Sequence, residues 1–298
     1  MDADLSSMLS VLQHRGPDGD ETYISEDRRY QAGFRRLAII DLETGDQPIV
    51  EQNNARVLMG NGEIYNYLEL RKEEPGYPYK TSGDMEVILP LATRHGDEFV
   101  QKLNGMFGLA LYEKGRHRLL LVRDRLGIKP IYWAKLPNGG VLFASEIKAL
   151  FASGLLTPAI DESAVSPYLA HGYVPAPQTL FKGVQKLPPG HQLSIDAKGE
   201  ILVKRYWRAE AATDLPSSEE EIAKYLESLL DDSVRLQLRS DVPVGALLSG
   251  GLDSGLMVAL AANQSSQPLN TYTVSFDGAA VDEGPLAAAI AQRYETNH

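Results

Sequence analysis

Residues 244–263 read VGALLSGGLDSGLMVALAAN. An apolar run enters a short glycine-bearing loop, and a second apolar run leaves it. The first run, VGALL, has the length and composition of a fully buried strand. The second, GLMVALAAN, reads as a helix. Between them Ser249-Gly250-Gly251-Leu252-Asp253-Ser254 forms a cradle suited to an anion. Two glycines permit conformations and close approaches that a side chain would block. The first turn of the helix presents unpaired N–H groups and the positive end of its dipole. Ser249 and Ser254 add hydroxyl donors. Asp253 would repel a bare phosphate, and makes sense as a ligand of Mg²⁺ bridging phosphates. No lysine follows the loop, so the GxxxxGK[ST] pattern is not met. The bland alternative is a glycine-rich strand–helix turn without a ligand.

Downstream, NTYTVSF (270–276) reads as a second strand and EGPLAAAIAQRY (283–294) as a second helix. Strand, loop, helix, strand, helix predicts a parallel, doubly wound sheet. Upstream lies AEAATDLPSS (209–218), small, polar and acidic, which reads as a linker. Ser217 or Ser218 with Glu220 or Glu221 three residues later is a capping-box signal. Ile222, Leu226, Leu229 and Val234 then fall on one helical stripe.

The preceding stretch has a different grammar. Leu5, Met8, Leu9 and Leu12 predict a short amphipathic helix over 4–13. YQAGFRRLAIID (30–41) and ARVLMGNG (55–62) read as strands, and 84–96 and 97–104 as helices. Apolar runs at 106–112 and 119–123 around Lys114-Gly115 predict a β-hairpin. VLFASE (141–146) is a further strand, followed by a helix into Leu150 and Phe151. The first 190 or so residues are therefore α+β, dominated by antiparallel strands.

The chain has 298 residues, 43% of them hydrophobic, and a formal net charge of −11. The length suits about two domains. The acidic balance argues against nucleic acid and anionic membranes, though not against a small phosphate compound held by local donors. There is no cysteine, so disulfides, zinc-thiolate sites and thiol nucleophiles are excluded within these residues. MDADLSSMLSVLQ has no basic n-region, and the uncharged stretch 149–160 is too short to cross a membrane. A soluble, cytoplasmic protein is the expectation.

Several strings occur in an order that resembles the glutamine-hydrolysing asparagine synthetases. They are HRGPDG (14–19), RRLAIID (35–41), NGEIYNY (61–67), SGDMEVIL (82–89), NGMFGLALY (104–112) and RDRLGIKPIYW (123–133). FASEIKAL (143–150), KLPPGH (186–191) and SGGLDS follow. The resemblance implies a class II glutamine amidotransferase domain over 1–205 with the N-terminal-nucleophile hydrolase-like αββα sandwich. A linker over 206–218 and the N-terminal part of a PP-loop α/β domain over 219–298 would follow.

It further implies that Arg36 clamps the α-carboxylate of glutamine, as a planar bidentate donor does. Ile39 and Ile40 would line that pocket, and Asn61 and Gly62 would form an oxyanion hole. Glu63 and Asp84 would hold the α-amino group. Leu248, Ser249, Gly250, Gly251, Asp253, Ser254 and Val274 would bind ATP, with Asp253 on Mg²⁺. Each role has a plainer alternative. Arg36 suits a structural ion pair, Asn61-Gly62 a turn and Asp84 a helix cap. His14 reads as structural, and Arg123, Asp124 and Arg125 as a structural charge network.

The family's reaction implies glutamine, aspartate and ATP as ligands, a β-aspartyl-AMP intermediate and asparagine as product; a homodimer is the expected assembly. The family's nucleophile is a cysteine at the mature N-terminus, some fifteen to twenty residues before HRGPDG. It has no counterpart here. The expectation is a piece truncated at both ends and inactive as a glutaminase. Another amide- or β-lactam-forming ligase, or a non-catalytic glutamine- or ATP-binding remnant, are the competing readings.

Overall fold

A computed structural model describes residues 3–51, 55–213, 215–275 and 282–298. The chain divides into two compact units, Met1–Ala209 and Glu210–His298.

The first unit begins with helix α1 (Leu5–Ser10) and strands β1 (Gly19–Ile24), β2 (Gln31–Arg36), β3 (Ile49–Val50) and β4 (Arg56–Ile64). Helices α2 (Tyr67–Glu73) and α3 (Ile88–His95) follow, then the hairpin β5 (Gly105–Glu113) and β6 (Arg118–Arg123). Next come β7 (Tyr132–Lys135), β8 (Val141–Ala144), α4 (Ile147–Ala152), α5 (Val165–His171), β9 (Val184–Lys186), β10 (His191–Ile195) and β11 (Ile201–Arg205). A six-stranded sheet runs β11-β10-β6-β5-β4-β3, and two smaller sheets run β1-β2 and β8-β7-β9. All of these pairings are antiparallel.

Period-two alternation sorts the central strands onto two faces. Leu58, Phe107, Leu109, Leu111, Leu120 and Val122 enter one core with Leu70, Ile88, Leu89 and Leu91 of α2 and α3. Val57, Met59, Ala110, Tyr112, Leu119 and Leu121 enter a second core with Ala32 of β2 and Trp133 of β7. A third cluster covers the outer side of the β8-β7-β9 sheet. There Ala134, Leu142 and Val184 meet Leu150, Ile147 and Phe151 of α4. The layers are thus helix, sheet, sheet, helix.

Two expectations for this unit change in detail. The strand expected over 30–41 stops at Arg36. Asp41 has a positive φ of 55°, and its carboxylate accepts from the Thr44 N–H, the Thr44 hydroxyl and the Ser82 N–H. That carboxylate therefore bends residues 37–46 into a loop. Of the helices expected over 84–96 and 97–104, the first is α3 led in by a 3₁₀ turn, Met85–Val87, and the second is a 3₁₀ helix, Gly96–Lys102. Gly96, at φ 54°, interrupts the α-helix.

A loop after β6 is held by one carboxylate. Asp124 is 1% exposed. It accepts from the N–H groups of Leu126 (3.1 Å), Ile128 (3.0 Å) and Lys129 (2.9 Å), and from Phe107 of β5 (3.3 Å). The Arg123 guanidinium donates to the carbonyls of Lys129, Leu187 and Gly127. The expected charge network is therefore a set of side-chain bonds to backbone, which fixes the course of 124–129.

The second unit contains α6 (Glu219–Gln237), β12 (Gly245–Leu247), α7 (Leu252–Gln264), β13 (Asn270–Tyr272) and α8 (Gly284–Arg293). The Ser218 hydroxyl caps α6 by accepting from the Glu221 N–H. Strands β12 and β13 pair in parallel. The core gathers Val234, Leu248, Val258, Leu260, Leu269, Ala287 and Ala291. The expected stripe on α6 is buried only at its C-terminal end, since Ile222, Leu226 and Leu229 are exposed. VGALL is likewise not fully buried. Leu247 is 79% exposed and Leu248 1%, because helices cover one face of the two-stranded sheet. The strand expected over 270–276 ends at Tyr272, and Phe276 lies outside the described residues.

At Gly62 the backbone φ is +145°, and an added Cβ would lie 1.9 Å from the Met106 carbonyl oxygen. Gly62→Ala is expected to lower the stability of the first unit by about 2 kcal/mol or more in urea unfolding. Gly76→Ala, where a Cβ meets nothing within 4 Å, is expected to change it by less than about 0.5 kcal/mol.

Candidate functional site

Strand β4 carries the centre of the site. Its residues Asn61, Gly62 and Glu63 pair with Gly108, Phe107 and Met106 of β5. Asn61-Gly62 is therefore a mid-strand step and not a turn. Close pairing is possible because glycine occurs on both sides. A Cβ at Gly105 would lie 2.1 Å from the Glu63 carbonyl oxygen. On the other edge of β4, Gln47 makes two bonds to Gly60, accepting from its N–H at 2.6 Å and donating to its carbonyl at 3.0 Å.

These elements wall a cavity of about 400 Å³. All seven residues expected to bind glutamine line it: Arg36, Ile39, Ile40, Asn61, Gly62, Glu63 and Asp84. They come from β2 and the loop after it, from β4, and from the turn before α3. The amide of Asn61 makes no side-chain hydrogen bond to another described residue. Glu63 is partly buried, and its carboxylate likewise forms no hydrogen bond or ion pair with another described residue. Arg36 lines the wall, but its guanidinium is engaged with the loop 41–46. It donates to Asp46 at 2.8 Å and to the carbonyls of Asp41 and Leu42. Asn61 also faces a neighbouring apolar cavity of about 150 Å³, walled by Leu9, Phe34, Met59, Ile131 and Phe143.

Asp84 does not cap the helix after it. No side-chain cap bond forms there; its Oδ2 instead accepts from the Ile64 N–H at 2.7 Å, fastening the end of β4. Burial pushes its carboxyl up to about 6; the Ile64 N–H opposes this, and nearby Glu63 adds to it. Glu63 is also raised by burial, with Lys129 pulling the other way.

Other cavity residues carried no distinct signal in the sequence. Glu146 accepts from His14 (3.0 Å) and Arg15 (3.1 Å), and pairs with Lys148 (3.1 Å). Burial opposes its charge, but Lys148, His14 and Arg15 outweigh that and hold its carboxyl at about 2. His14 is thus bonded to Glu146 and also lines the cavity. Glu146 and Lys129 fall within the quoted strings FASEIKAL and RDRLGIKPIYW, which marked their neighbourhood without giving them a task. Gln47 stands in no such string.

In the second unit the 249–254 loop links β12 to α7, at the carboxyl ends of the parallel strands. The Ser249 and Ser254 hydroxyls bond each other at 2.9 Å, and the Ser249 N–H donates to Ser254 Oγ at 3.2 Å. Gly250 has φ +61°, and an added Cβ would lie 2.7 Å from Leu286 Cβ of α8. Gly251 caps α7 from an ordinary extended conformation. Leu248 is buried, donates to the Tyr272 carbonyl at 2.8 Å and accepts from the Thr273 hydroxyl. Val274 is exposed just beyond β13. Asp253 is exposed in the first turn of α7. No group of three or more His, Cys, Asp or Glu able to hold a metal occurs among the described residues. The loop suits an anion.

Residues 1–207 match the glutamine amidotransferase domain family, and residues 225–298 match the asparagine synthase family. The chain is 38% identical to asparagine synthetase [glutamine-hydrolyzing] 1 of Bacillus subtilis, covering 96% of this chain and 45% of that protein. It is 34% identical to a putative asparagine synthetase 2 of Methanocaldococcus jannaschii, covering 99% and 61%. The chain thus spans about half the length of the curated relatives it matches. A solved glutamine phosphoribosylpyrophosphate amidotransferase from B. subtilis superposes with a TM-score of 0.52 at 15% identity. It covers 93% of this chain and 65% of that one. That likeness concerns the fold, and it agrees with the N-terminal-nucleophile hydrolase-like αββα layering expected for the first unit. The chain belongs to the glutamine-hydrolysing asparagine synthetase family, carrying its glutamine amidotransferase domain followed by residues of its asparagine synthase domain.

Proposed function

We propose that the first unit is a glutamine-binding module and the second an ATP-binding one, both parts of an asparagine-forming, glutamine-dependent ligase. The observation that carries this reading is the convergence of the seven expected residues, from separate segments, on one cavity. A free amino acid is a zwitterion with an amide tail. Glu63 and Asp84 suit its ammonium group, and Arg36 suits its carboxylate once its bonds to 41–46 rearrange or share. Asn61 and the Gly62 N–H suit the carboxamide oxygen. In the parent reaction ammonia from glutamine attacks an aspartate whose β-carboxylate has been joined to AMP. The 249–254 loop would hold the phosphates of ATP on backbone N–H groups and serine hydroxyls, with Asp253 steadying Mg²⁺. Aspartate, ATP, Mg²⁺ and a homodimer belong to this proposal for the whole protein.

These 298 residues hold no thiol. The family's first step needs a nucleophile activated by an adjacent base. This chain is therefore expected to bind glutamine without hydrolysing it, and an assay of ammonia release should stay at background. Release at rates well above the buffer blank would overturn that expectation.

Calorimetry on the full chain should show L-glutamine binding, weakened about tenfold or more in Glu63→Gln by loss of a charged hydrogen bond. The pH dependence follows from Asp84. Its carboxyl is pushed up to about 6, so it is mostly neutral at pH 5 and ionised at pH 7.5. An ammonium group needs the anion, and affinity should rise as pH increases through about 6.

ATP binding, followed by fluorescence of a labelled nucleotide, should require Mg²⁺ and be lost in Gly250→Val. The branched side chain meets Leu286 and cannot readily adopt φ +61°. Asp253→Asn should weaken the Mg²⁺-dependent part of the affinity.

A further inference from the structure

The glutamine cavity contains a charge that neither the family strings nor the carboxylate pair account for. Lys129 lies in its wall. Its ammonium forms no hydrogen bond or ion pair with another described residue. The position of its backbone, in contrast, is fixed from both sides. The Lys129 N–H donates to Asp124 at 2.9 Å and its carbonyl accepts from Arg123 Nε at 2.9 Å. A buried carboxylate and a buried arginine thus hold the backbone from which the lysine stem starts.

Glu63 is the matching group. It is a partly buried carboxylate with no donor of its own. Desolvation favours its neutral form, and a nearby cation is the means of keeping it charged. The other charged groups of the cavity are committed. Arg36 bonds the 41–46 loop, His14 and Arg15 bond Glu146, and Asp84 takes the Ile64 N–H. Glu63 also disfavours the ionisation of Asp84. Tyr65, two residues further along the chain, is pushed up to about 12 by burial and by Glu63, and stays a neutral phenol. Arg35, also in the wall, bonds Asp20 and the Leu9 carbonyl, so among the described residues of the cavity Lys129 is the cation left to act on Glu63.

We propose that Lys129 is a positioning residue of this pocket, the counter-charge that keeps Glu63 an anion so that the Glu63–Asp84 pair can take the ligand's ammonium group. The second half of that statement rests on the glutamine reading; the first half does not.

Two measurements on the full chain separate them. Carbon-13 NMR of the glutamate carboxyls, assigned with Glu63→Gln, follows the Glu63 titration without ligand. Lys129→Met is expected to move its midpoint up by about one pH unit, and Lys129→Arg to leave it near the wild-type value. Calorimetry with L-glutamine is then expected to show about tenfold weaker binding at pH 7 for Lys129→Met, its affinity recovering toward higher pH, with Lys129→Arg close to wild type. An unmoved Glu63 midpoint in folded Lys129→Met overturns the proposal, whatever binds. A moved midpoint in a protein that does not bind glutamine at all upholds the counter-charge and sinks the glutamine reading together with the ligand half of the inference. Equal loss in the Met and Arg variants with no change in pH profile assigns Lys129 a merely structural role, and overturns it as well.

Discussion

The close antiparallel pairing of β4 with β5 is the constraint on which the first unit depends. Gly62 and Gly105 let the strands approach to distances that a Cβ would forbid, 1.9 and 2.1 Å from the facing carbonyl oxygens. That pairing lays Asn61, Gly62 and Glu63 along one strand of the sheet, beyond the short stretch that β3 covers, where they can face the cavity. Three side chains then tie the ladder to its surroundings. Gln47 replaces a strand partner at Gly60, Asp84 takes the Ile64 N–H, and Asp124 takes the Phe107 N–H. These bonds fix the backbone on either side of the three site residues.

The same devices decide the electrostatics. Asp84 fastens β4 because it is buried, and burial is what raises its carboxyl. Glu146 is less buried and bonds Lys148, His14 and Arg15, so it moves in the opposite direction. Two acids in one cavity wall thus reach different charge states at mildly acidic pH through differences in partners and solvent access. The second unit offers a contrast. Its loop is shaped by a left-handed glycine and two mutually bonded serines, and its acid, Asp253, stands exposed.

Much of the layering was legible in the order of residues. The apolar runs at 106–112 and 119–123 and the turn at Lys114-Gly115 mark the central hairpin, while the sorting of its residues onto two cores comes with the sheet. Local signals failed where a distant side chain overrode them. RRLAIID has strand composition throughout, yet Asp41 turns the chain after Arg36 by bonding Thr44 and Ser82. Asn-Gly is a turn pair by propensity, yet pairing with β5 holds it extended at positions 61–62. Asp84 stands where a helix cap would, and a strand 20 residues earlier claims its carboxylate. The VGALL run promised two covered faces, while β12 and β13 have one.

The sequence by itself determined the two-unit organisation, the period of each element, the absence of a thiol and the motifs that place the chain in its family. Those properties depend on residue type and spacing along the chain. Only the tertiary structure decided that Arg36, Asn61, Glu63 and Asp84 share a cavity, that Asp84 is poised near neutrality, and that Lys129 and Glu146 belong to the same wall. Burial and through-space charge set those properties, and both arise from residues far apart in sequence that sheet pairing brings together.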